Sequence, residues 1–412
     1  MIPETRPAAA PVAGEDGAGW VEQRLPVRGW FRRGVLEMRV PANFSPLWSL
    51  EMLVWAALAA LTLTGIWIGL YYVPTASGAF DSIDAIRRGV QFGWLMLDLH
   101  SVAATMLFAV VYVMLYRGLW YGTYRGRREV AWLIEVVRFV LLLAIGFFGF
   151  TMIGGPASEA AVRAMAAHLA ALPLVGPALR TAYLGGFTAT PATAQHLAMA
   201  HESLGFLVLL VAALGVAASR VAAPANDHGL YPLDAGDLRP LHPRFTMTVF
   251  VTLIGFAVIT MLLVGFDPSV GEAPGNVPVT VGPGMLGLSA PAVATPPWYL
   301  LGFHGLAMFA GGPGGGAGLT IVLWILLGAM PWLDRGRVAS GRFRPVYAGF
   351  VFLLGIDWVV LSIAAGSSGG GAWPVVIDLT TIWLFVHFLV VVPLVTAWER
   401  TDPVPARLGG RA

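Results

Sequence analysis

The sequence predicts an all-α membrane protein with eight transmembrane helices, four in an N-terminal bundle and four in a C-terminal group. Three observations predict it. Of 412 residues, 57% are hydrophobic and only 12% charged, with a mean hydropathy of +0.74, whereas a soluble domain carries roughly 25% charged residues. Eight stretches, 48–73, 92–116, 132–154, 197–219, 245–266, 318–334, 346–365 and 376–397, are apolar enough to span a bilayer. All 25 basic residues are arginine, and they concentrate on alternate loops.

Residues 1–45 are polar and Pro-rich and lack the apolar core of a signal peptide. They read as a cytoplasmic tail followed by the surface segment VEQRLPVRGWFRRGVLEMRV. The expected organisation is this tail, a four-helix bundle over 46–225, a C-terminal four-helix region over 226–400 and a second tail over 401–412. The segment 155–194 opens after Gly154 and carries two short amphipathic stretches, and the loop 267–297 is rich in Pro and Gly. Loops of that length usually carry function or docking surfaces. No internal repeat is evident.

Orientation follows from the arginines. Arg117, Arg125, Arg127 and Arg128 follow the second span, and Arg335, Arg337, Arg342 and Arg344 follow the sixth, while 267–297 has no basic residue. The positive-inside rule then puts the arginine loops and both termini in the cytoplasm of a bacterial inner membrane. A formal net charge of +2 points to no nucleic-acid partner. The absence of cysteine excludes disulfides, thiolate-held clusters and covalently attached haem within the chain.

Two histidines stand near the external ends of apolar helices: His100 in GWLMLDLHSVAATMLF and His201 in QHLAMAHESLGFLVLL. Intramembrane ionisable residues lean functional, although a buried histidine also serves as a plain hydrogen-bonding group. Two imidazoles at similar depth across a bundle suit the axial positions of a b-type haem. His196 lies at a helix mouth, where a cap or loop contact is expected; His168, His228 and His242 are expected in loops, and His304 and His387 outside the bundle.

The stretches ALTLTGIWIGLYYVP, AFDSIDAIRRGVQFGWLMLDLH, YRGLWYGTYR, HPRFTMTVF and TPPWYLLGF, in this order and spacing, resemble the cytochrome b subunit of the cytochrome bc and b6f complexes over about residues 20 to 400. The resemblance implies haem ligation by His100 and His201, with Gly65 and Gly149 letting the haem faces pass the backbone. In that family a second ligand pair follows fourteen residues on, about 21 Å deeper on nearly the same helix face. Here those positions hold Met114 and Gly215, and the glycines matching the inner haem are replaced by Glu51 and Glu135. One haem b is expected, near the external side. Glu51, Glu135, Arg138 and Met114 then converge on the inner half, with Glu135 and Arg138 spaced to pair as structural filling, or with the two carboxylates forming a proton path.

The family's external quinol site is lined by a Pro-Glu-Trp-Tyr motif whose Glu takes a quinol proton. The matching residues are Pro296-Pro297-Trp298-Tyr299, and Pro297 has no proton acceptor. Tyr299 and His304 are the helpers the sequence offers, and Trp298 and Tyr299 can also serve as an interfacial aromatic anchor. Met247-Thr248-Val249 stands where the family has a Lys-Asp pair near its inner quinone site, and Leu97 where it often has an arginine near a haem propionate.

The expected function is membrane electron transfer between quinone or quinol and an extracytoplasmic partner: a Rieske protein, a c-type cytochrome or another redox subunit. The expected setting is a lipid-embedded homodimer within a multi-subunit complex. The alternatives are a redox-silent anchor subunit and an ordinary two-haem quinol:cytochrome c reductase cytochrome b.

Overall fold

The structure, a computed structural model, describes residues 19–75, 78–221, 224–272, 295–367 and 370–408. The expected tail up to residue 18, most of the 267–297 loop and the last residues of the second tail lie outside these.

Two short surface helices, α1 (Trp20–Arg24) and α2 (Val27–Phe31), open the described chain, followed by the first long helix α3 (Leu50–Gly69). Next come α4 (Gly78–Gly89), α5 (Gly93–Tyr121) and α6 (Glu129–Met152). The segment after α6 forms α7 (Pro156–Ala170) and α8 (Gly176–Leu184), and the chain returns through α9 (Pro191–Ser219) and α10 (Thr246–Phe266). After the 3₁₀ turn Trp298–Leu300 follow α11 (Leu301–Phe309), α12 (Pro313–Gly328), α13 (Met330–Leu333) and α14 (Pro345–Gly366). The last long helix is α15 (Trp373–Val386), which runs through a π-helical stretch, His387–Val391, into α16 (Val392–Trp398). Strands β1 (Arg39–Pro41) and β2 (Leu238–Pro240) pair antiparallel, Val40 opposite Arg239, and tie the N-terminal segment to the loop before α10.

Among the described residues seven helices are long and apolar enough to cross a membrane: α3, α5, α6, α9, α10, α14 and the continuous α15–α16. The expected sixth span, 318–334, is instead the 16-residue α12 and a separate turn at α13. The break has a local cause, since Pro331 has no N–H for the helical ladder. The two amphipathic stretches expected in 155–194 are α7 and α8. His168 lies on α7 rather than in a loop, while His228 and His242 are in turns.

In the N-terminal bundle α3 packs along α5 and α6 along α9, and the two pairs meet where α5 touches α6. The helices α11, α12, α14 and α15 pack on one another, and α14 also touches α5. One apolar core runs through both groups, from Leu107 and Val111 on α5 and Leu142 on α6 to Leu306 on α11 and Leu361 on α14. On the arginine-rich side, Arg344 is fully buried and bonded to Asp334 at 2.9 Å and Glu399 at 3.2 Å. Tyr124 joins the same network through Asp334 and Tyr347. A buried charge needs such partners, so Arg344 fastens the loop after α13 to the C-terminal segment.

Candidate functional site

His100 is the eighth residue of α5 and His201 the eleventh of α9, and the bundle brings their rings to 6.2 Å between centroids. Two imidazoles on one metal, with metal–nitrogen bonds of about 2 Å, have centroids roughly 6 Å apart. Each ring is oriented by a bond at Nδ1. That of His201 donates to the Ile145 carbonyl at 2.9 Å. That of His100 lies 2.9 Å from Thr64 Oγ1, whose own proton goes to Ala60 O at 2.7 Å, so the hydroxyl accepts from the ring. Both Nε2 lone pairs are thereby left for a metal, the arrangement of ligating histidines whose other nitrogen is held by the protein.

Gly65 and Gly149 lie beside the two histidine rings. A Cβ on Gly65 would lie 3.1 Å from His100 Cε1, and one on Gly149 2.9 Å from His201 Cε1. Both ring edges and the backbone beside them form a slot without side chains on α3 and α6. Paired imidazoles, bare backbone on both flanks and oriented Nδ1 atoms fit a bis-histidine haem.

Fourteen residues deeper the surroundings change. Met114 is buried in the apolar core at 2% exposure. A Cβ on Gly215 would meet Ile134 Cγ2 at 3.4 Å, so an isoleucine packs against that backbone. Between these helices Arg138 holds Glu51 with two bonds, 2.7 and 3.0 Å, reaching from α6 to α3. The expected pairing of Arg138 with Glu135 is corrected: the fork of its guanidinium matches the carboxylate across the bundle. Glu135 has Arg138, Arg117, Glu51 and Arg128 as charged neighbours, while its Oε1 is buried without a hydrogen-bond partner. Arg117 donates to Leu47 O at 2.8 Å and lies over the Trp48 ring. Sequence reading missed Arg117 as a member of this cluster, although its place near the end of the second span was the available signal.

The turn carrying Trp298 and Tyr299 is clamped between α5 and α6. The Tyr299 ring stacks on Phe108 at 3.9 Å and 6°, and its hydroxyl donates to Gly146 O at 3.3 Å. Trp298 Nε1 donates to Thr105 Oγ1 at 3.4 Å, and Tyr112 donates to Tyr299 O at 2.7 Å. Tyr299 is 5% exposed, which removes it as an interfacial anchor. His304 on α11 has His168 of α7 as an electrostatic neighbour. The Pro297 carbonyl closes the turn by accepting from Leu300 N. His196, exposed on α9, contacts Ala182 O as a helix-mouth residue does.

Residues 35–220 match the family model described as Cytochrome b/b6/petB, and residues 287–385 that described as Cytochrome b(C-terminal)/b6/petD. Over 389 residues the chain is 30% identical to cytochrome b of Rickettsia bellii (strain RML369-C), covering 94% of this chain and 96% of that one. It is also 30% identical to cytochrome b of Rhodospirillum rubrum, covering 94% and 95%. Cytochrome b/c1 of Bradyrhizobium diazoefficiens is 29% identical, with 94% of this chain spanning 56% of that longer protein. Among solved structures, a chain of a hyperthermophilic respiratory Complex III superposes with a TM-score of 0.80 at 22% identity, covering 92% of this chain and 98% of that one.

Proposed function

The chain belongs to the cytochrome b/b6 family, and from that premise we propose that it is the membrane electron-transfer subunit of a bc-type complex, carrying one b haem between His100 and His201 and exchanging electrons between quinone and an extracytoplasmic redox partner. The observation that carries this reading is the asymmetry of the bundle: oriented histidines and bare glycines at one end, and Met114, Ile134 and the Glu51–Arg138 pair at the other.

When bound, the haem supplies a one-electron carrier whose potential is set by its ligands and surroundings. The chain's own residues do the rest. Thr64 and Ile145 hold the two imidazoles in the ligating tautomer. The packed Trp298–Tyr299 turn forms a rigid wall for a planar quinone ring near the external face. Glu135, with one oxygen free of hydrogen bonds, carries protons from the cytoplasmic side, and the Glu51–Arg138 pair fixes the charge beside it. A single haem does not span both faces in series, so quinone chemistry takes place at the external end without a second quinone site at the inner end.

In this reading α12 completes eight crossings, with the haem bundle over 46–225 and the C-terminal region over 226–400. Both termini face the cytoplasm of a bacterial inner membrane. The assembly is a homodimer in a multi-subunit complex, and its partner is a Rieske protein, a c-type cytochrome or another extracytoplasmic redox subunit. Adding quinol to the anaerobic purified complex tests the function. Reduction of the b-haem optical bands is expected, and the His100→Ala protein should show neither bands nor electron transfer. Haem bands that quinol and reduced external partners both leave unchanged would favour the anchor alternative.

A further inference from the structure

Past the C-terminal end of α5, about 30 Å along the helix from His100, three loops meet around a cleft of about 420 Å³. The connection from α5 to α6 supplies Arg125 and Arg128 to its lining. The segment between α9 and β2 supplies His228 and Tyr231, and the loop between α13 and α14 supplies Arg337. Among the described residues no carboxylate lines it.

The three loops are fixed against one another. A Cβ on Gly126 would lie 2.6 Å from the Tyr231 ring, and one on Gly229 2.9 Å from Ser340 N, so both approaches need glycine. The buried Asn226 accepts at Oδ1 from His228 N and Leu230 N, each at 3.1 Å. Arg125 donates to Val338 O at 3.2 Å, and Ser340 Oγ donates to Asp227 O at 2.6 Å.

Positive charge in the cleft is left largely uncancelled. Asp227 is held by Arg342 at 2.9 Å, and Asp334 by Arg344 at 2.9 Å with Arg125 farther off at 3.7 Å. Glu129 acts on Tyr231 from α6 without lining the cleft. Arg128 bonds to Thr123 O at 3.1 Å and to the Tyr231 hydroxyl, both neutral groups. Arg337 is exposed and bonds to no other described residue. His228 is buried against the Phe343 ring at 5.4 Å, and its Nδ1 has no hydrogen-bond partner among the described residues. A buried polar atom in that condition calls for a further bonding group.

We propose that this cleft is a binding site for a phosphate-bearing anion, with Arg125, Arg128 and Arg337 supplying charge and paired N–H donors and His228 a further polar contact. Guanidinium forks match phosphate oxygens two at a time and stay charged throughout the physiological range. Three of them around one cleft suit a multiply charged group better than a lone carboxylate, and the volume has room for a diphosphate or a phospholipid headgroup. The phosphate comes either from a soluble compound or from a lipid. The site is separate from the histidine pair and stands independently of the quinone reading.

The test uses the purified full-length chain in its complex, as wild type, R337A, R128Q and R335A. Arg335 is the control, an exposed arginine of the same loop that does not line the cleft. R337A carries the test, because its side chain holds none of the loops together. Isothermal titration with inorganic diphosphate reads the soluble source. Native mass spectrometry after release from phosphatidylcholine nanodiscs doped with phosphatidylglycerol reads the lipid source, as phosphatidylglycerol retained per chain. For a soluble ligand, R337A and R128Q are each expected to weaken diphosphate binding at least about 10-fold, with R335A within about twofold of wild type. For a lipid, R337A and R128Q are expected to lose a retained phosphatidylglycerol that R335A keeps. R337A equal to wild type in both readings overturns the site. So does R335A matching the loss in R337A, which would reduce the effect to general attraction by a basic face.

Discussion

Thr64 sits one residue before the glycine that flanks His100, and its hydroxyl is committed on both sides, donating to Ala60 O and accepting from the histidine. Replacing it with valine removes the hydroxyl acceptor and leaves the buried His100 ring only its backbone contact with Leu61. Thr64→Val is expected to weaken haem retention roughly 10-fold, read as haem transfer to an apo-globin acceptor; retention equal to wild type would contradict the role given to the hydroxyl. Gly149 makes a steric case, because a Cβ there already comes within 2.9 Å of His201 Cε1. Gly149→Leu is expected to abolish haem binding while the protein still inserts, measured as lost b-type absorbance in a correctly sized purified chain. At this scale the histidines and glycines were legible in the sequence because they are rare residue types in apolar runs at fixed spacing. Thr64 and the Ile145 carbonyl were not, since a helix carbonyl has no sequence signature and one threonine among apolar residues carries no pattern.

At the scale of elements, the inner half of the bundle is fastened by Arg138 reaching from α6 to Glu51 on α3. Arg138 is 3% exposed, so removing its partner strands a charge in a poorly solvated place. Glu51→Gln is expected to cost about 3 kcal/mol, the lower end of the range for breaking buried pairs, because the Glu51 side chain is 35% exposed. The double variant Glu51→Gln with Arg138→Met should recover most of that loss in detergent unfolding measurements. Additive losses would mean that the pair is not coupled. The sequence brought Glu51, Glu135 and Arg138 to one depth but paired Arg138 with the wrong carboxylate, since spacing along one helix does not reveal what faces it. The helix α4 was likewise not separated from the loop around it, although Ala79, Ser82 and Ile86 are its buried face at helical spacing. The long spans were readable because apolar length alone marks them, whereas α12 ends early at a proline whose effect on length that pattern does not register.

For the whole molecule, the proposed reading is a one-ended redox protein: the two histidines and the aromatic turn toward one end, buried charge toward the other. If Glu135 serves proton transfer, Glu135→Gln should slow quinone-linked turnover several-fold, with the haem spectrum and the reduction of haem by a chemical reductant unchanged. Wild-type turnover in that variant would leave the inner cluster purely structural. Composition made the membrane class legible and the ordered motifs made the family legible, while partner choice depends on surfaces that other chains complete. The measurement closest to the central claim is haem b per chain in the purified protein by pyridine haemochrome, with His100→Ala in parallel. One haem per chain, lost in His100→Ala, is the predicted result. Two haems per chain would contradict it.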